Sequence, residues 1–114
     1  MPDIISPAHA HALLQKGALL IDIREPGEFA GESIPGSENM PLSSIATRKV
    51  EAGGKEVVFL CKSGARTQMN MAVLGKVGGQ QSHIMQGGIM AWKSAGFATQ
   101  SSAAPRKGLF GLFG

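Results

Sequence analysis

The chain has 114 residues, of which 43% are hydrophobic and 17% are charged, and its formal net charge is +3. This length and composition predict one globular domain with its own core and exclude a chain that is disordered throughout. Arg106 and Lys107 supply two of the three net positive charges. The rest of the chain is therefore too weakly basic for a nucleic-acid-binding surface, and we expect no nucleic-acid partner.

The chain contains a single cysteine, Cys61. One cysteine excludes an intrachain disulfide and a cysteine-rich metal site, and it favours a reducing compartment. The N-terminal residues show no signal-peptide pattern, and no stretch approaches the ~20 apolar residues of a membrane span. We therefore expect a cytoplasmic protein. His9, His11 and His83 do not have the spacing of metal ligands, and we predict no metal site.

In the first half of the chain, helix and strand patterns alternate. Ser6-Pro7 is typical of a helix start and predicts a helix over 7–16. The nearly continuous apolar run 18–23 predicts a strand that is buried on both faces, as in a parallel sheet. The next predicted elements are a brief helical turn that begins at Glu25-Pro26, a short strand over 37–40 and a helix over 42–50.

The second half continues the alternation. The run VVFLC, residues 57–61, predicts a second strand buried on both faces. The apolar residues Met69, Ala72, Val73 and Val77 recur at helical spacing and predict one helix from Arg66 to about Val77. A strand over 83–85 and a helix over 89–95 follow. This alternation predicts an α/β domain with a mostly parallel sheet.

The composition changes near the C-terminus. The polar, alanine- and proline-containing segment 99–105 is typical of a linker. We therefore predict a domain over 1–98 and a linker with a short hydrophobic tail over 99–114, which we expect to be flexible. The apolar segment GLFGLFG is too short to cross a bilayer. Together with Arg106 and Lys107 it predicts weak docking to a membrane or a protein, and a terminal segment without a role is the alternative.

The surroundings of Cys61 predict reactive chemistry. Cys61 ends a buried strand, and α/β proteins bind ligands at the carboxyl ends of their strands. The loop consists of Cys61, Lys62, Ser63, Gly64, Ala65 and Arg66. Its small residues allow amide groups to line an anion-binding turn, to which the following helix would add its positive end. Amides and basic side chains favour the thiolate, so the pattern predicts a nucleophile in an anion-binding loop. A small buried core residue is the alternative interpretation.

Charged residues follow the first buried strand. Asp22 and Arg24 are predicted to form an ion pair that orders the neighbouring loop, because an unpaired charge at such a position is costly. Their predicted role is supporting rather than catalytic. Glu28 is interpreted as a surface or loop-bracing carboxylate.

Four segments, in chain order, resemble motifs of the single-domain rhodaneses, or thiosulfate sulfurtransferases. They are LIDIREPGEF (20–29), SIPGSENMPL (33–42), VVFLCKSGAR (57–66) and GGIMAWKSAGF (87–97). Ser33 departs from the pattern, since the family usually has histidine before Ile-Pro-Gly. We interpret that position as structural and expect activity to survive the change.

The resemblance implies a three-layer α/β domain, in which helices flank both faces of a central parallel sheet of about five strands. It implies that Cys61 takes a sulfane sulfur from thiosulfate or a similar small anionic donor and carries it as a persulfide, without a cofactor. The amides from Lys62 to Arg66 would hold the persulfide. The Lys62 and Arg66 side chains would attract the donor and stabilise the departing sulfite, and Asp22 and Arg24 would brace the site. The acceptor would be cyanide, an external thiol or a partner protein, because no second cysteine is present.

Two alternative functions remain open. Relatives that act as phosphatases or arsenate reductases have one residue more in the loop than the six residues Cys61–Arg66, which favours a sulfurtransferase. The sequence also offers no strong general acid beside the loop. A non-catalytic sulfur carrier or docking module is the other alternative, although modules of that type usually lack the cysteine.

Overall fold

The computed structural model describes residues 1–101, so the predicted tail lies mostly outside the described residues. A five-stranded sheet in the order β1-β5-β4-β2-β3 forms its centre, and all neighbouring strands are parallel. The strands are β1 (Asp3–Ile5), β2 (Leu19–Asp22), β3 (Glu38–Asn39), β4 (Val57–Leu60) and β5 (Ser82–Met85). The predicted parallel α/β sheet is confirmed.

Helices cover both faces of this sheet. They are α1 (Pro7–Gln15), α2 (Pro26–Gly31), α3 (Leu42–Ile45), α4 (Ala65–Gln68), α5 (Met71–Gly78) and α6 (Gly88–Ser94). In β4, Val57 and Phe59 belong to a core cluster with residues of α3 and α5, whereas Val58 and Leu60 belong to a second cluster with residues of α1 and α6. Because both faces of the strand are buried, its sequence is a continuous apolar run rather than an alternating one.

One edge of the sheet is formed by β1, which the sequence patterns did not identify. It has only three residues, and its register places Asp3 beside His83 of β5. The His83 ring lies between the carboxylates of Asp3 and Glu56, so it ties the N-terminal strand to two segments far along the chain. A strand this short gains its stability from such distant partners, which local patterns do not reveal.

The single helix predicted from Arg66 to Val77 is wrong, because the chain forms α4 and α5 with a break between them. At the break, the Asn70 side chain donates a hydrogen bond to the Arg66 carbonyl (2.7 Å). Asparagine competes with helical backbone bonding in this way, so it favours an interruption. Met69, which the pattern placed in the core, is 83% exposed. The helix predicted over 42–50 is also shorter in the structure, where α3 ends at Ile45.

The chain keeps contact with the fold beyond residue 98. The backbones of Ser33 and Gln100 exchange two hydrogen bonds of 2.7 Å, and the Thr99 hydroxyl donates to Glu32. Ser33 is buried there, so its small side chain fits a position enclosed by this bridge. Within residues 1–101, no helix is long and apolar enough to span a bilayer.

Candidate active site

Cys61 follows β4 directly, at the carboxyl end of a strand that lies between β2 and β5. The residue is 1% exposed and belongs to the core cluster on the α5 side of the sheet. Its sulfur nevertheless has a polar neighbour, because the Gly64 amide donates a hydrogen bond to Sγ at 3.1 Å. This amide lies where it can stabilise negative charge on the sulfur.

Gly64 and Thr67 fix the shape of the loop beneath the sulfur. Gly64 has φ +97°, a left-handed conformation that side-chain-bearing residues rarely adopt, and it turns the chain into α4. The Thr67 hydroxyl donates to the Gly64 carbonyl (2.9 Å) and lies 3.8 Å from Cys61 Sγ. Thr67 was missing from the predicted site residues. Its signal in the sequence is a hydroxyl six positions after the cysteine, within the first turn beyond the loop.

The N-terminus of α6 supports the same loop from the other side. The amides of Ile89 and Met90 donate to the carbonyls of Cys61 (2.9 Å) and Lys62 (3.1 Å). Gly88 precedes them with φ +60°, and a Cβ on it would lie 2.4 Å from the Cys61 carbonyl oxygen. Gly88 is therefore required by the close approach of α6 to the loop, whereas a Cβ on Gly87 would lie 2.5 Å from Ala91 Cβ within α6.

We expect Gly88→Ala to destabilise the protein strongly, because the added methyl group overlaps the backbone of Cys61 and Lys62. Gly53→Ala is the matched control, since Gly53 has the same φ of +60° and nothing within 4 Å of its Cβ position. Both variants carry the ~1 kcal/mol cost of a left-handed alanine. Gly88→Ala should lower the free energy of unfolding by about 2 kcal/mol more than Gly53→Ala. Equal urea midpoints for the two variants would contradict this account of the contact.

Asp22 and Arg24 form the predicted ion pair beside the loop. The Arg24 guanidinium donates to both carboxylate oxygens of Asp22 at 2.8–3.1 Å, and the Arg24 amide donates to Oδ1 at 2.9 Å. Both side chains are almost completely buried. In the sheet register, Asp22 lies beside Leu60, the residue before Cys61. The Asn39 amide completes the cluster by donating to the carbonyls of Asp22 and Arg24.

The two basic residues of the loop, Arg66 and Lys62, differ in their surroundings. Lys62 is exposed at the rim of the loop. The Arg66 guanidinium, by contrast, makes a bidentate ion pair with Glu28 of α2, with N–O distances of 2.8 and 2.9 Å. The family resemblance implied that Arg66 attracts the donor, and that role stays a prediction; in the structure the charge of Arg66 is paired with that of Glu28. The helix after the loop, α4, has only four residues, so its dipole adds little positive field.

The ion pair changes the titration of Glu28. Its hydrogen bonds from Arg66 lower the pKa of the Glu28 carboxyl from the ordinary 4.5 to about 2, although partial burial opposes the shift. A lowered pKa in the folded state contributes stability that is complete above pH 4.5 and is lost as the pH falls towards about 2. We expect the unfolding midpoints of wild type and Glu28→Gln to converge over this range. Because both side chains are about a third exposed, the amplitude will be small. Parallel urea midpoints between pH 6 and pH 2 (roughly the window set by this linkage) would contradict the assignment.

Within residues 1–101, no group of three or more histidine, cysteine, aspartate or glutamate side chains is arranged to hold a metal ion. In the described part of the chain, the site combines the buried Cys61 thiol, the Gly64 amide that donates to its sulfur, the neighbouring Thr67 hydroxyl, the exposed Lys62 and the ion pair of Arg66 with Glu28. Such a set is suited to nucleophilic chemistry by the thiolate.

Comparisons with known proteins agree with this geometry. The family model described as a rhodanese-like domain matches residues 6–95. The uncharacterized protein slr1261 of Synechocystis sp. is 36% identical over 97 residues, which cover 83% of this chain and 54% of that protein, so the chain spans about half its length. Thiosulfate sulfurtransferase GlpE of Pseudomonas syringae pv. syringae is 34% identical over 91 residues, which cover 79% of this chain and 86% of that protein.

A solved structure is similar over nearly the whole described domain. The rhodanese-related protein from Thermoplasma volcanium has a TM-score of 0.75 at 26% identity, covering 86% of this chain and 97% of that one. The strand order, the cysteine loop at the end of β4 and the family match lead to one conclusion: the chain belongs to the rhodanese-like domain family.

Proposed function

We propose that this chain is a sulfurtransferase that moves a sulfane sulfur from a small anionic donor, such as thiosulfate, to an external acceptor through a persulfide on Cys61. The observation that carries the proposal is the Gly64 amide directed at Cys61 Sγ, at 3.1 Å, in a loop that follows a central strand. Similarity to a thiosulfate sulfurtransferase supports it.

The transfer proceeds in two displacements. The Cys61 thiolate attacks the terminal sulfur of thiosulfate, so that an Sγ–S bond forms while the S–S bond of the donor breaks and its electron pair leaves with sulfite. A nucleophile such as cyanide then attacks the outer sulfur, and the electron pair of the Sγ–S bond returns to Cys61. Two steps through a covalent intermediate predict ping-pong kinetics. The Gly64 amide would stabilise the charge on sulfur in both states.

The depth of the thiol favours this reaction over hydrolysis of a phosphate ester. Cys61 is 1% exposed, so only a slender group can reach Sγ without a large movement of the loop. The sulfane sulfur of thiosulfate is a terminal atom and can enter end-on. A phosphorus centre carries four substituents, and in-line attack on it requires a wider opening. The six-residue length of the loop also favours sulfur transfer over phosphate-ester hydrolysis.

The acceptor is proposed to be an external thiol, cyanide or a partner protein, because Cys61 is the only cysteine. The sulfur travels on Cys61 itself, so the cycle we propose requires no cofactor. A reducing compartment such as the cytoplasm would keep the resting thiol free.

Intact-mass spectrometry tests the proposal. After incubation with thiosulfate and removal of excess reagent, we expect the protein to gain the mass of one sulfur atom on the peptide that contains Cys61. Addition of cyanide should remove that mass and release an equivalent amount of thiocyanate. A protein that remains folded but gains no sulfur and forms no thiocyanate would overturn the proposal.

A further inference from the structure

The ion pair between Glu28 and Arg66 brings a negative charge to the rim of the cysteine loop. Glu28 lies in the first turn of α2, where its Oε1 also accepts a hydrogen bond from the Glu25 amide (3.1 Å). Its carboxylate is therefore held by its own helix as well as by both guanidinium nitrogens of Arg66. A bidentate pair of this kind fixes the orientation of the arginine.

The pair also changes the charge that a donor meets. Without Glu28, the rim would present Lys62 and Arg66, two positive charges, to an anion approaching a thiolate. With Glu28 in place, the positive charge of Arg66 is offset, and that of Lys62 is balanced by the thiolate itself. A donor carrying two negative charges then gains little from the local field compared with a donor carrying one.

We propose that Glu28 is a positioning residue that sets the charge selectivity of the site, by offsetting Arg66 and thereby favouring singly charged sulfane donors relative to the dianion thiosulfate. This inference rests on the proposed function and narrows its substrate class. It assigns to Glu28 an effect that acts through Arg66 rather than through contact with the donor.

The titration of both partners supports the geometry. With its pKa lowered to about 2, Glu28 is fully ionised at any pH at which a sulfurtransferase would work. The hydrogen bonds that Arg66 donates to Glu28 raise the pKa of Arg66, and the charge on Cys61 contributes a smaller increase.

Two donors with the same sulfane chemistry but different charge provide the test. Thiosulfate is a dianion, and the methanethiosulfonate anion has a methyl group in place of one charged oxygen. In each reaction Cys61 takes the terminal sulfur, and sulfite or methanesulfinate departs with the electron pair of the broken S–S bond. The ratio of kcat/KM for thiosulfate to that for methanethiosulfonate therefore reports charge selectivity and cancels effects common to both donors.

Glu28→Gln should raise this ratio about tenfold at low ionic strength, mainly through a lower KM for thiosulfate, because one uncompensated positive charge then faces the extra charge of the dianion. Added salt should return the ratio towards the wild-type value. Glu32→Gln is the matched control, since Glu32 directly follows α2, the helix that contains Glu28, but its side chain pairs with Lys93 and Thr99 rather than with the loop. Its ratio should not change.

An unchanged ratio in folded Glu28→Gln would overturn the inference. An equal fall in kcat for both donors would also overturn it, because that result means that Glu28 only holds the loop in shape. If Glu28→Gln does not fold, the salt dependence of the wild-type protein provides the test. We expect kcat/KM for thiosulfate to depend on salt only slightly more than kcat/KM for methanethiosulfonate does. A much steeper salt dependence for thiosulfate would refute the inference. Failure of both donors to load sulfur on wild-type Cys61 would instead overturn the proposed function, and the inference with it.

Discussion

Cys61→Ser should abolish sulfur loading and lower thiocyanate formation by roughly a thousandfold or more, while the protein keeps its fold. A serine hydroxyl is scarcely ionised near neutral pH and forms no persulfide. The hydroxyl can still accept the hydrogen bond that the Gly64 amide now gives to Sγ, so this buried amide keeps a partner. The measurements are intact mass after incubation with thiosulfate, the thiocyanate rate and the thermal unfolding midpoint.

Cys61→Ala is the matched variant for the structural part of this prediction. Alanine offers no acceptor, so the Gly64 amide loses its bond in a buried position, at a cost of about 1–3 kcal/mol. We therefore expect Cys61→Ala to be less stable than Cys61→Ser, although both should be inactive. Turnover by purified Cys61→Ser at a rate close to wild type would eliminate Cys61 as the nucleophile.

Asp22→Ala should produce the largest loss of stability, about 3–5 kcal/mol, because it leaves the buried guanidinium of Arg24 without its counter-charge. The Arg24 amide loses a hydrogen bond in the same substitution. The expected readout is a large fall in the urea midpoint, accompanied by reduced sulfur transfer, since Asp22 lies beside the residue that precedes Cys61.

A double variant separates charge from packing at this position. Asp22→Leu combined with Arg24→Met removes both charges and keeps apolar volume, so it should recover much of the stability that Asp22→Ala loses. If Asp22→Ala alone remains within about 1 kcal/mol of wild type, the buried pair is not the stabilising element that its geometry indicates.

The central strands were predictable because their burial determines the pattern of apolar residues in the sequence. In the described structure, β2 and β4 are covered by helices on both faces, which requires continuous apolar runs. By contrast, β1 spans three residues and its partner β5 is about 80 positions away, so no local pattern reveals it. At the break before α5, the Asn70 side chain bonds to the Arg66 carbonyl, an interaction that the helical spacing of apolar residues could not indicate.

The site was predictable to the extent that it is local in the chain. Cys61, its position after a buried strand and the tight turn at Gly64 all follow from a few consecutive residues. The partner of Arg66 could not be predicted in this way, because Glu28 lies 38 positions earlier and the sequence contains several other carboxylates. The prediction that Arg66 attracts the donor therefore lacked this ion pair, which forms when the fold brings α2 beside the loop. The pairing of Asp22 with Arg24 was predictable, because the two residues are close in the chain and an unpaired buried charge is costly.

The two hydrogen bonds between α6 and the loop make opening of the loop around the thiol measurable by amide exchange. Because the Ile89 and Met90 amides are bonded to the carbonyls of Cys61 and Lys62, these amides can exchange with deuterium only when α6 and the loop separate. Their exchange rates thus report the free energy of opening in the resting protein without any reagent at the cysteine. A sulfur atom on Cys61 would also alter the exchange of the Gly64 amide, which donates to Sγ, so the three rates together would distinguish opening of the loop from loading of the thiol.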